Sequence, residues 1–286
     1  MTEFRRIGIL GPGLLGGSIA LGMEKRHPQV AVRMWARNAD RVAGIAQLGF
    51  KHATTDFDLV VEEAELIILA VPVGAMPELA QRLIAAGVGG GQFVTDVGSV
   101  KGLLHETVGV PLKEAGIRFV GSHPMAGSDQ SGFAAASPDL FEKAPCILTN
   151  DGELPDEDIN RLVAFWSGLG ARAAVMTGAE HDQLVARISH VPHVLAAVCA
   201  LVALEKEEDG HFAGGGLRDT SRVAGGDPAM WREILIENKE AVVGPLRQSA
   251  MLMQRLADLI EGDNEEALEA VLEEAQQRRR RLDNNL

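Results

Sequence analysis

The first 177 residues alternate short apolar runs with longer segments that carry apolar residues every three or four positions. Short apolar runs bounded by turn residues predict buried β-strands, and the longer periodic segments predict helices with one apolar face. Strands are predicted over residues 7–10, 30–36, 64–71, 92–96, 118–120, 146–149 and 173–176, and helices over 14–23, 76–86 and 156–169. This alternation favours a mainly parallel sheet covered by helices on both faces.

The pattern changes at residue 178. Beyond it, three long segments carry apolar residues at helical spacing with few turn residues between them. These segments are residues 179–204, 228–260 and 264–283. We therefore expect an α/β domain over residues 1–178 and an all-helical domain over residues 179–286.

Composition narrows the classes of function. The net charge of −13 at pH 7 and the pI near 5.1, with basic residues clustered only at 278–281, argue against a nucleic-acid partner. Cys146 and Cys199 are far apart in apolar surroundings, which predicts buried thiols rather than a disulfide or a zinc site. The apolar runs 66–76 and 194–204 are shorter than the roughly 18 to 20 residues that span a membrane. We expect a soluble, cytoplasmic protein that binds neither nucleic acid nor membrane.

A glycine motif, Gly11-Pro12-Gly13-Leu14-Leu15-Gly16, follows the first predicted strand and opens the first predicted helix. In this context Gly11 permits a tight turn, Gly13 lets the backbone approach a pyrophosphate, and Gly16 lets the helix pack closely. The α/β domain is therefore predicted to be a Rossmann-type, dinucleotide-binding domain. The predicted cofactor site comprises Gly11, Gly13, Leu14, Leu15, Gly16, Arg37, Val71, Pro72 and Ser99.

The end of the second predicted strand bears on the choice of cofactor. An acidic residue there usually binds the ribose 2′-hydroxyl of NAD, but this chain has Trp35-Ala36-Arg37-Asn38. A guanidinium attracts a 2′-phosphate, so Arg37 favours NADP. The alternative is that Arg37 is simply solvated and that Asp40 binds the ribose of NAD. The cofactor is therefore NAD(P)+, with NADP favoured.

Two polar segments follow predicted strands, at residues 96–101 and 121–128. In an open α/β sheet the ligand crevice lies beyond the carboxyl ends of the strands, so both segments are expected to face it. His123, in a loop bounded by glycine and proline, is the predicted base, because an imidazole can take a hydroxyl proton as hydride leaves the adjoining carbon. Ser99 orients that hydroxyl or the imidazole, or alternatively caps a helix.

Two later segments carry candidate binding residues. His190 and His193 lie about one helical turn apart, and Pro192 between them predicts a helix start or a kink. No third ligand is evident, so a metal site is not predicted. Arg222 follows the glycine cluster at 214–216 and suits a carboxylate through paired hydrogen bonds, the alternative being a surface or intersubunit ion pair.

Six segments together resemble the prephenate and arogenate dehydrogenase family over nearly the whole chain. They are residues 8–18, 96–101, 121–127, 181–182, 189–193 and 218–222, the last of them ahead of Asp227-Pro228. The resemblance implies that His123 accepts the proton or hydrogen bond of the substrate's ring 4-hydroxyl, with Ser99 assisting, while hydride passes to NAD(P)+. Loss of the ring carboxylate as carbon dioxide then aromatises the product.

The same resemblance implies further site residues. His193, which we count with the catalytic group, and Arg222 match positions that hold the substrate's side chain and carboxylate. The predicted substrate-binding residues are Arg222, Ser128, Ser189, His190, Trp231 and Gly215. The helical domain is implied to form an intertwined homodimer, with the loop at 214–216 approaching the partner's active site.

The identity of the substrate stays open between prephenate and arogenate, which differ in a keto or an ammonium-bearing side chain. The sequence favours prephenate because no acidic residue is required to face an ammonium. Against this, Asp129, Asp219 and Asp227 all lie near the predicted pocket in sequence.

Two other kinds of protein share parts of this pattern. A 3-hydroxyacid or imine-reducing dehydrogenase usually relies on a lysine in its helical domain, and Lys206 and Lys239 have no comparable setting. A dinucleotide-sensing module without turnover would not need His123, Ser99 and Arg222 together. Both are weaker alternatives to the family resemblance.

Overall fold

The computed structural model of the chain describes residues 3–284, except 90 and 129. By its internal contacts the chain divides into two compact units, Met1–Asn238 and Lys239–Leu286. The first unit holds the sheet and most of the helices, and the second consists of two long helices. The domain boundary near residue 178 stays a prediction.

One eight-stranded sheet organises the first unit, in the order β3-β2-β1-β4-β5-β6-β7-β8. The strands are β1 (Arg6–Leu10), β2 (Ala31–Trp35), β3 (Ala53–Thr54), β4 (Leu66–Leu69), β5 (Phe93–Asp96), β6 (Arg118–Pro124), β7 (Pro145–Thr149) and β8 (Arg172–Met176). All neighbouring pairs are parallel except β6 and β7, which are antiparallel. The predicted, mainly parallel sheet is confirmed.

Among the described residues, helices alternate with the strands as far as β8, and the chain beyond β8 contains helices without further strands. They are α1 (Leu14–Arg26), α2 (Ala39–Gln47), α3 (Phe57–Val61), α4 (Met76–Ala85), α5 (Gly102–Leu104), α6 (Val110–Glu114), α7 (Asp156–Gly168), α8 (Gly178–Val185), α9 (Val191–Ala203), α10 (Gly215–Ser221), α11 (Pro228–Glu237), α12 (Lys239–Glu261) and α13 (Glu265–Asn284). Turns of π-helix at His105–Gly109 and Ala186–His190 join α5 to α6 and α8 to α9.

The two faces of the sheet bury separate hydrophobic cores. On one face Phe4, Ile68 and Trp166 belong to a core that includes residues of α1 and α7. On the other face Ile67 and Leu79 belong to a core that includes residues of α3 and α4. Strands β4 and β5 are buried along their whole length. Burial on both faces explains why the central strands read as continuous apolar runs.

Two details of the sequence prediction are wrong. Strand β6 continues beyond residue 120 to Pro124, because residues 121–124 pair with the antiparallel strand β7. The single helix predicted over 228–260 is two helices that meet at Asn238, a buried residue at the C-terminus of α11. The short β3 and the helix α2 were not predicted: β3 has only two residues, and α2 has nine residues and buries only Ile45.

The apolar segment at 178–203 forms one continuous helix of 26 residues through its π-helical turn. By length and composition alone this helix could cross a membrane, although the apolar runs counted from the sequence are shorter. Core helices of soluble proteins meet the same criterion, and a third of its most apolar window is buried within the chain. His181 and Asp182 near its start are held by hydrogen bonds, as described below.

Candidate active site

The glycine motif forms a turn that leaves room for a phosphate. Gly11 has a φ of 128°, and a Cβ there would lie 2.2 Å from the carbonyl oxygen of Ala70. A Cβ on Gly16 would lie 2.1 Å from the oxygen of Gly11. By contrast, a Cβ on Gly13 would meet nothing within 4 Å. Only glycine suits the first two positions, and the open space at Gly13 fits the approach of a dinucleotide pyrophosphate.

This turn lies where the order of the strands reverses, between β1 and β4. Ligands of open α/β sheets bind at such a switch point. Val71 and Pro72 lie just beyond β4, after Ala70, and Leu14 and Leu15 are the half-buried first residues of α1. The first turn of α1 carries no acidic side chain, so the positive end of its dipole faces no competing negative charge. The described residues therefore fit a nicotinamide dinucleotide.

Two residues after β2, Arg37 and Asp40, are the predicted candidates for contact with the adenosine ribose. Arg37 is exposed and takes part in none of the ion pairs found among the described residues. The side chain of Asn38, which lies between Arg37 and Asp40 in the chain, is already engaged: it accepts a 2.9 Å hydrogen bond from the backbone N–H of Arg41. Asp40 is exposed in the first turn of α2. The geometry leaves both Arg37 and Asp40 free to meet a ligand.

His123 lies in strand β6 and not in the loop that the sequence predicted. Its side chain is buried, with 8% of the residue exposed. The prediction failed because residues 121–124 lack an apolar pattern and become strand only by pairing with β7. As predicted, the residue nevertheless lies at the carboxyl end of its strand, next to the end of β5.

A chain of side-chain hydrogen bonds leads from His123 into α8. Its Nδ1 lies 2.8 Å from Nε2 of His181, whose Nδ1 lies 2.8 Å from a carboxylate oxygen of Asp182. Burial and the neighbouring His181 and Lys101 lower the pKa of His123 well below 6.5. Burial also lowers the pKa of His181, although its hydrogen bond to Asp182 opposes this effect. Both rings are therefore neutral near pH 7.

A buried ion pair between Lys101 and Asp96 adjoins strand β6, which carries His123. The two side chains are 1% and 0% exposed. Asp96 also accepts hydrogen bonds from the backbone N–H groups of Gly98 and Ser122, at 2.7 and 3.1 Å. Ser99 lies half-buried in the loop between the two charged residues. Since Lys101 occupies the cap position of α5, the alternative that Ser99 caps a helix is wrong.

The predicted residues of the helical segment gather around Trp231. The ring of His193 stacks on Trp231, with centroids 3.6 Å apart and an interplanar angle of 10°. His190 meets the same indole edge-on at 6.1 Å, and its Nδ1 accepts a 3.1 Å hydrogen bond from Asn238. Burial lowers the pKa of His190 to about 4. His190 in turn lowers the pKa of His123, which places the two rings in one electrostatic environment.

The remaining predicted residues lie toward the outside of the chain. Ser189 is half-buried in the π-helical turn, and Ser128 is exposed in the loop after β6, where it accepts a 3.1 Å hydrogen bond from the N–H of Gln130. Gly215 begins α10 and Arg222 follows that helix, both exposed. The structure thus does not bring these last two residues into the hydrogen-bonded cluster around His123.

Sequence reasoning missed several members of this cluster. Lys101 and the dipeptide His181-Asp182 were noted only as parts of motifs, without a role. Asn238 was not noted at all, yet it donates to both His190 and the backbone oxygen of Asp182. The one available signal was the proximity of an aspartate and a lysine in the 96–101 segment, which suits a buried pair.

Comparison with known proteins decides the family. A family model described as the nucleotide-binding domain of prephenate dehydrogenase matches residues 19–175, and one described as its dimerization domain matches residues 177–274. The chain belongs to the prephenate dehydrogenase family. It is therefore an NAD(P)-dependent oxidoreductase, and the alternatives of a 3-hydroxyacid or imine-reducing dehydrogenase and of a sensor without turnover are set aside.

Individual relatives of the family match over nearly the whole chain. Prephenate dehydrogenase of Lactococcus lactis subsp. cremoris is 32% identical, over 98% of this chain and 78% of the relative. Cyclohexadienyl dehydrogenase of Zymomonas mobilis is 32% identical, over 98% of this chain and 96% of the relative. The fold is similar to that of Aquifex aeolicus prephenate dehydrogenase, solved in complex with hydroxyphenyl propionate and NAD+. The two structures match with a TM-score of 0.86 over 97% of this chain and 98% of that one, at 29% sequence identity.

Proposed function

We propose that the chain is a cytoplasmic homodimer that oxidatively decarboxylates prephenate to 4-hydroxyphenylpyruvate, a step of tyrosine biosynthesis. The observation that carries the proposal is the buried, neutral His123 at the carboxyl edge of the sheet. It lies in the same sheet whose switch point carries the dinucleotide turn. When bound, the nicotinamide supplies the hydride acceptor.

His123 is the base in this proposal. Its unprotonated ring nitrogen takes the proton of the ring hydroxyl while hydride leaves the carbon that bears this hydroxyl. The carbon–carbon bond to the ring carboxylate then breaks, carbon dioxide leaves, and the bonding pair completes the aromatic ring. His123 returns its proton to the phenol oxygen, so no proton is gained or lost overall. Ser99, in the adjoining loop, orients the hydroxyl.

The protein's remaining task is to place a dianion. We assign the side-chain carboxylate to Arg222, through paired hydrogen bonds, and the side chain itself to His193, stacked against Trp231. Ser128, Ser189, His190 and Gly215 complete the proposed substrate site. Because aromatisation supplies the driving force, orientation and charge neutralisation are the main contributions left to the enzyme.

One observation favours prephenate over arogenate. Asp227 is occupied as the N-cap of α11, where one carboxylate oxygen accepts from the N–H groups of Ala229 and Met230 at 2.8 and 3.1 Å. Asp219 is exposed on α10, and position 129 lies outside the described residues. An aspartate engaged in capping is a poor partner for the ammonium of arogenate, so the role of Asp227 supports the keto substrate.

Product analysis tests the reaction itself. Wild-type enzyme given prephenate and NADP+ is expected to yield equal amounts of carbon dioxide, reduced cofactor and 4-hydroxyphenylpyruvate. Reduced cofactor without carbon dioxide would mean a simple alcohol oxidation and would contradict the proposed chemistry.

The preference for NADP rests on Arg37. Replacing Arg37 by Ala is expected to raise KM for NADP+ by about 10- to 100-fold, because a charge-assisted hydrogen bond to the 2′-phosphate contributes about 1.5–3 kcal/mol. KM for NAD+ should hardly change. The matched variant Asp40→Asn tests the alternative. If Asp40→Asn raises KM for NAD+ while Arg37→Ala leaves KM for NADP+ unchanged, the assignment is reversed.

The homodimer is supported by apolar side chains that one chain leaves uncovered. On α9, Leu201 and Val202 are 77% and 74% exposed. Adjacent exposed residues of this kind mark protein interfaces. Light scattering should give twice the 30.5-kDa chain mass, and Leu201→Glu should shift the protein toward monomer, whereas Leu48→Glu in the cofactor domain should not. A monomeric wild-type protein would contradict the proposed homodimer. It would also exclude the approach of residues 214–216 to a partner's active site.

A further inference from the structure

The proposed chemistry needs a particular ring nitrogen of His123 to be free of hydrogen. A neutral imidazole carries its hydrogen on either Nδ1 or Nε2, and only the other nitrogen can accept a proton. The Nδ1 of His123 is already engaged by His181. The ring can serve as a base at Nε2 only if its hydrogen is on Nδ1.

Asp182 decides where the hydrogens lie. Burial raises the pKa of this carboxyl, but hydrogen bonds from His181, Gly102 and Lys101 outweigh that effect and hold it below its usual value. Asp182 is thus ionised and can only accept. The Nδ1 of His181, 2.8 Å from this carboxylate, must therefore carry hydrogen.

The second ring follows from the first. Because burial keeps His181 neutral, its single hydrogen is on Nδ1 and its Nε2 has a free lone pair. That lone pair accepts from Nδ1–H of His123, which leaves the Nε2 of His123 unprotonated. We propose that His181 and Asp182 are positioning residues that fix His123 in the tautomer whose Nε2 receives the substrate's hydroxyl proton. This inference rests on the proposed function of His123.

Asp182 has a second attachment, to the loop of Ser99. One carboxylate oxygen accepts from the N–H of Lys101 and the other from the N–H of Gly102, both at 2.8 Å. A Cβ on Gly102 would lie 3.0 Å from this carboxylate, so the contact is close. The same side chain that orients the base therefore anchors the loop of the proposed hydroxyl partner. Asp182 therefore joins helix α8 to the loop that carries Ser99.

Asp182→Asn is the first test. The amide is uncharged and has one acceptor oxygen, so it cannot accept from His181, Lys101 and Gly102 together, and it no longer holds the hydrogen on Nδ1 of His181. We expect kcat to fall by about 100-fold or more, the size seen when a catalytic imidazole is held in the wrong tautomer or its acid–base role is lost. KM for prephenate should change by less than about threefold, since no substrate contact is removed.

A matched control separates this effect from the loss of a helix-anchoring carboxylate. Asp151 accepts the N–H of Gly178 with both oxygens, each at 3.0 Å, at the start of the same helix. It makes none of the imidazole contacts found among the described residues. Asp151→Asn should therefore lower stability without a comparable fall in kcat.

Two variants of His181 keep the test decisive if Asp182→Asn folds poorly. His181→Gln retains an oxygen that can accept from Nδ1–H of His123 and should keep much of the activity. His181→Phe retains a planar ring without an acceptor and should lose it. Equal kcat values in the Gln and Phe variants would overturn the proposal.

Ring-nitrogen NMR of the enzyme without substrate gives a readout that does not depend on turnover. We expect hydrogen on Nδ1 of both His123 and His181 in the wild type, and loss of this single tautomer in Asp182→Asn. Hydrogen on Nε2 of His123 in the wild type would overturn the inference. Absence of wild-type turnover with the expected tautomers would instead contradict the proposed function and leave the hydrogen-bond assignment standing.

Discussion

His123→Asn is expected to lower kcat by about 100- to 10,000-fold, the range that general acid–base catalysis contributes. Asparagine can still donate toward His181 but cannot take a proton near neutral pH, so the variant keeps the fold and loses the base. Steady-state kinetics with prephenate would measure the fall. His52→Asn is the control, because this histidine is exposed before β3 and should leave kcat unchanged.

The pH profile provides a second check on the same residue. Burial lowers the pKa of His123 well below 6.5, so the ring is neutral and competent above that lowered value. Activity should therefore persist as the pH falls below 6.5 and decline only as the pH passes through the lowered pKa. The acid limb should vanish in His123→Asn. A limb at or above pH 6.5, or one that the variant retains, would reassign the base to another group.

Lys101→Met is expected to produce the largest loss of stability, about 3–5 kcal/mol in the free energy of unfolding. The substitution leaves the fully buried carboxylate of Asp96 without its cationic partner, although backbone N–H groups of Gly98 and Ser122 still donate to it. Urea unfolding followed by circular dichroism would measure the change.

An exposed ion pair offers the same substitution as a control. Lys25 pairs with Asp139 at 2.6 Å, but both side chains are about half exposed, at 54% and 43%. Lys25→Met should therefore lower the free energy of unfolding much less than Lys101→Met does. Adding Asp96→Asn to Lys101→Met should recover part of the lost stability, because the uncompensated charge is removed. If the two lysine substitutions lowered the free energy of unfolding equally, the buried ion pair would stabilise the fold no more than the exposed one.

The parts of the fold that the sequence predicted are those set by local pattern. Strands such as β4 and β5 are buried on both faces and read directly as apolar runs. The glycine turn was also predictable, since its requirements for positive φ and close packing act within a few residues. Residues 121–124 were misjudged as loop because their strand conformation depends on pairing with β7, more than 20 residues away.

The hydrogen-bonded cluster was beyond sequence reasoning for the same reason. The ring of His123 meets that of His181, which is 58 residues away, and the carboxylate of Asp182 meets the backbone of Lys101, which is 81 residues away. No spacing rule connects such pairs. Family resemblance marked the segments that carry them, but only the folded chain shows that the carboxylate of Asp182 contacts both His181 and the loop that carries Ser99.

Initial rates of cofactor reduction, with prephenate and arogenate each offered together with NAD+ or NADP+, test the proposed reaction. We expect turnover with prephenate, fastest with NADP+, and little or none with arogenate. Faster turnover of arogenate would correct the substrate, and faster turnover with NAD+ would correct the role of Arg37. If a protein shown to be a folded dimer reduced the cofactor in none of the four combinations, the proposed reaction would be contradicted.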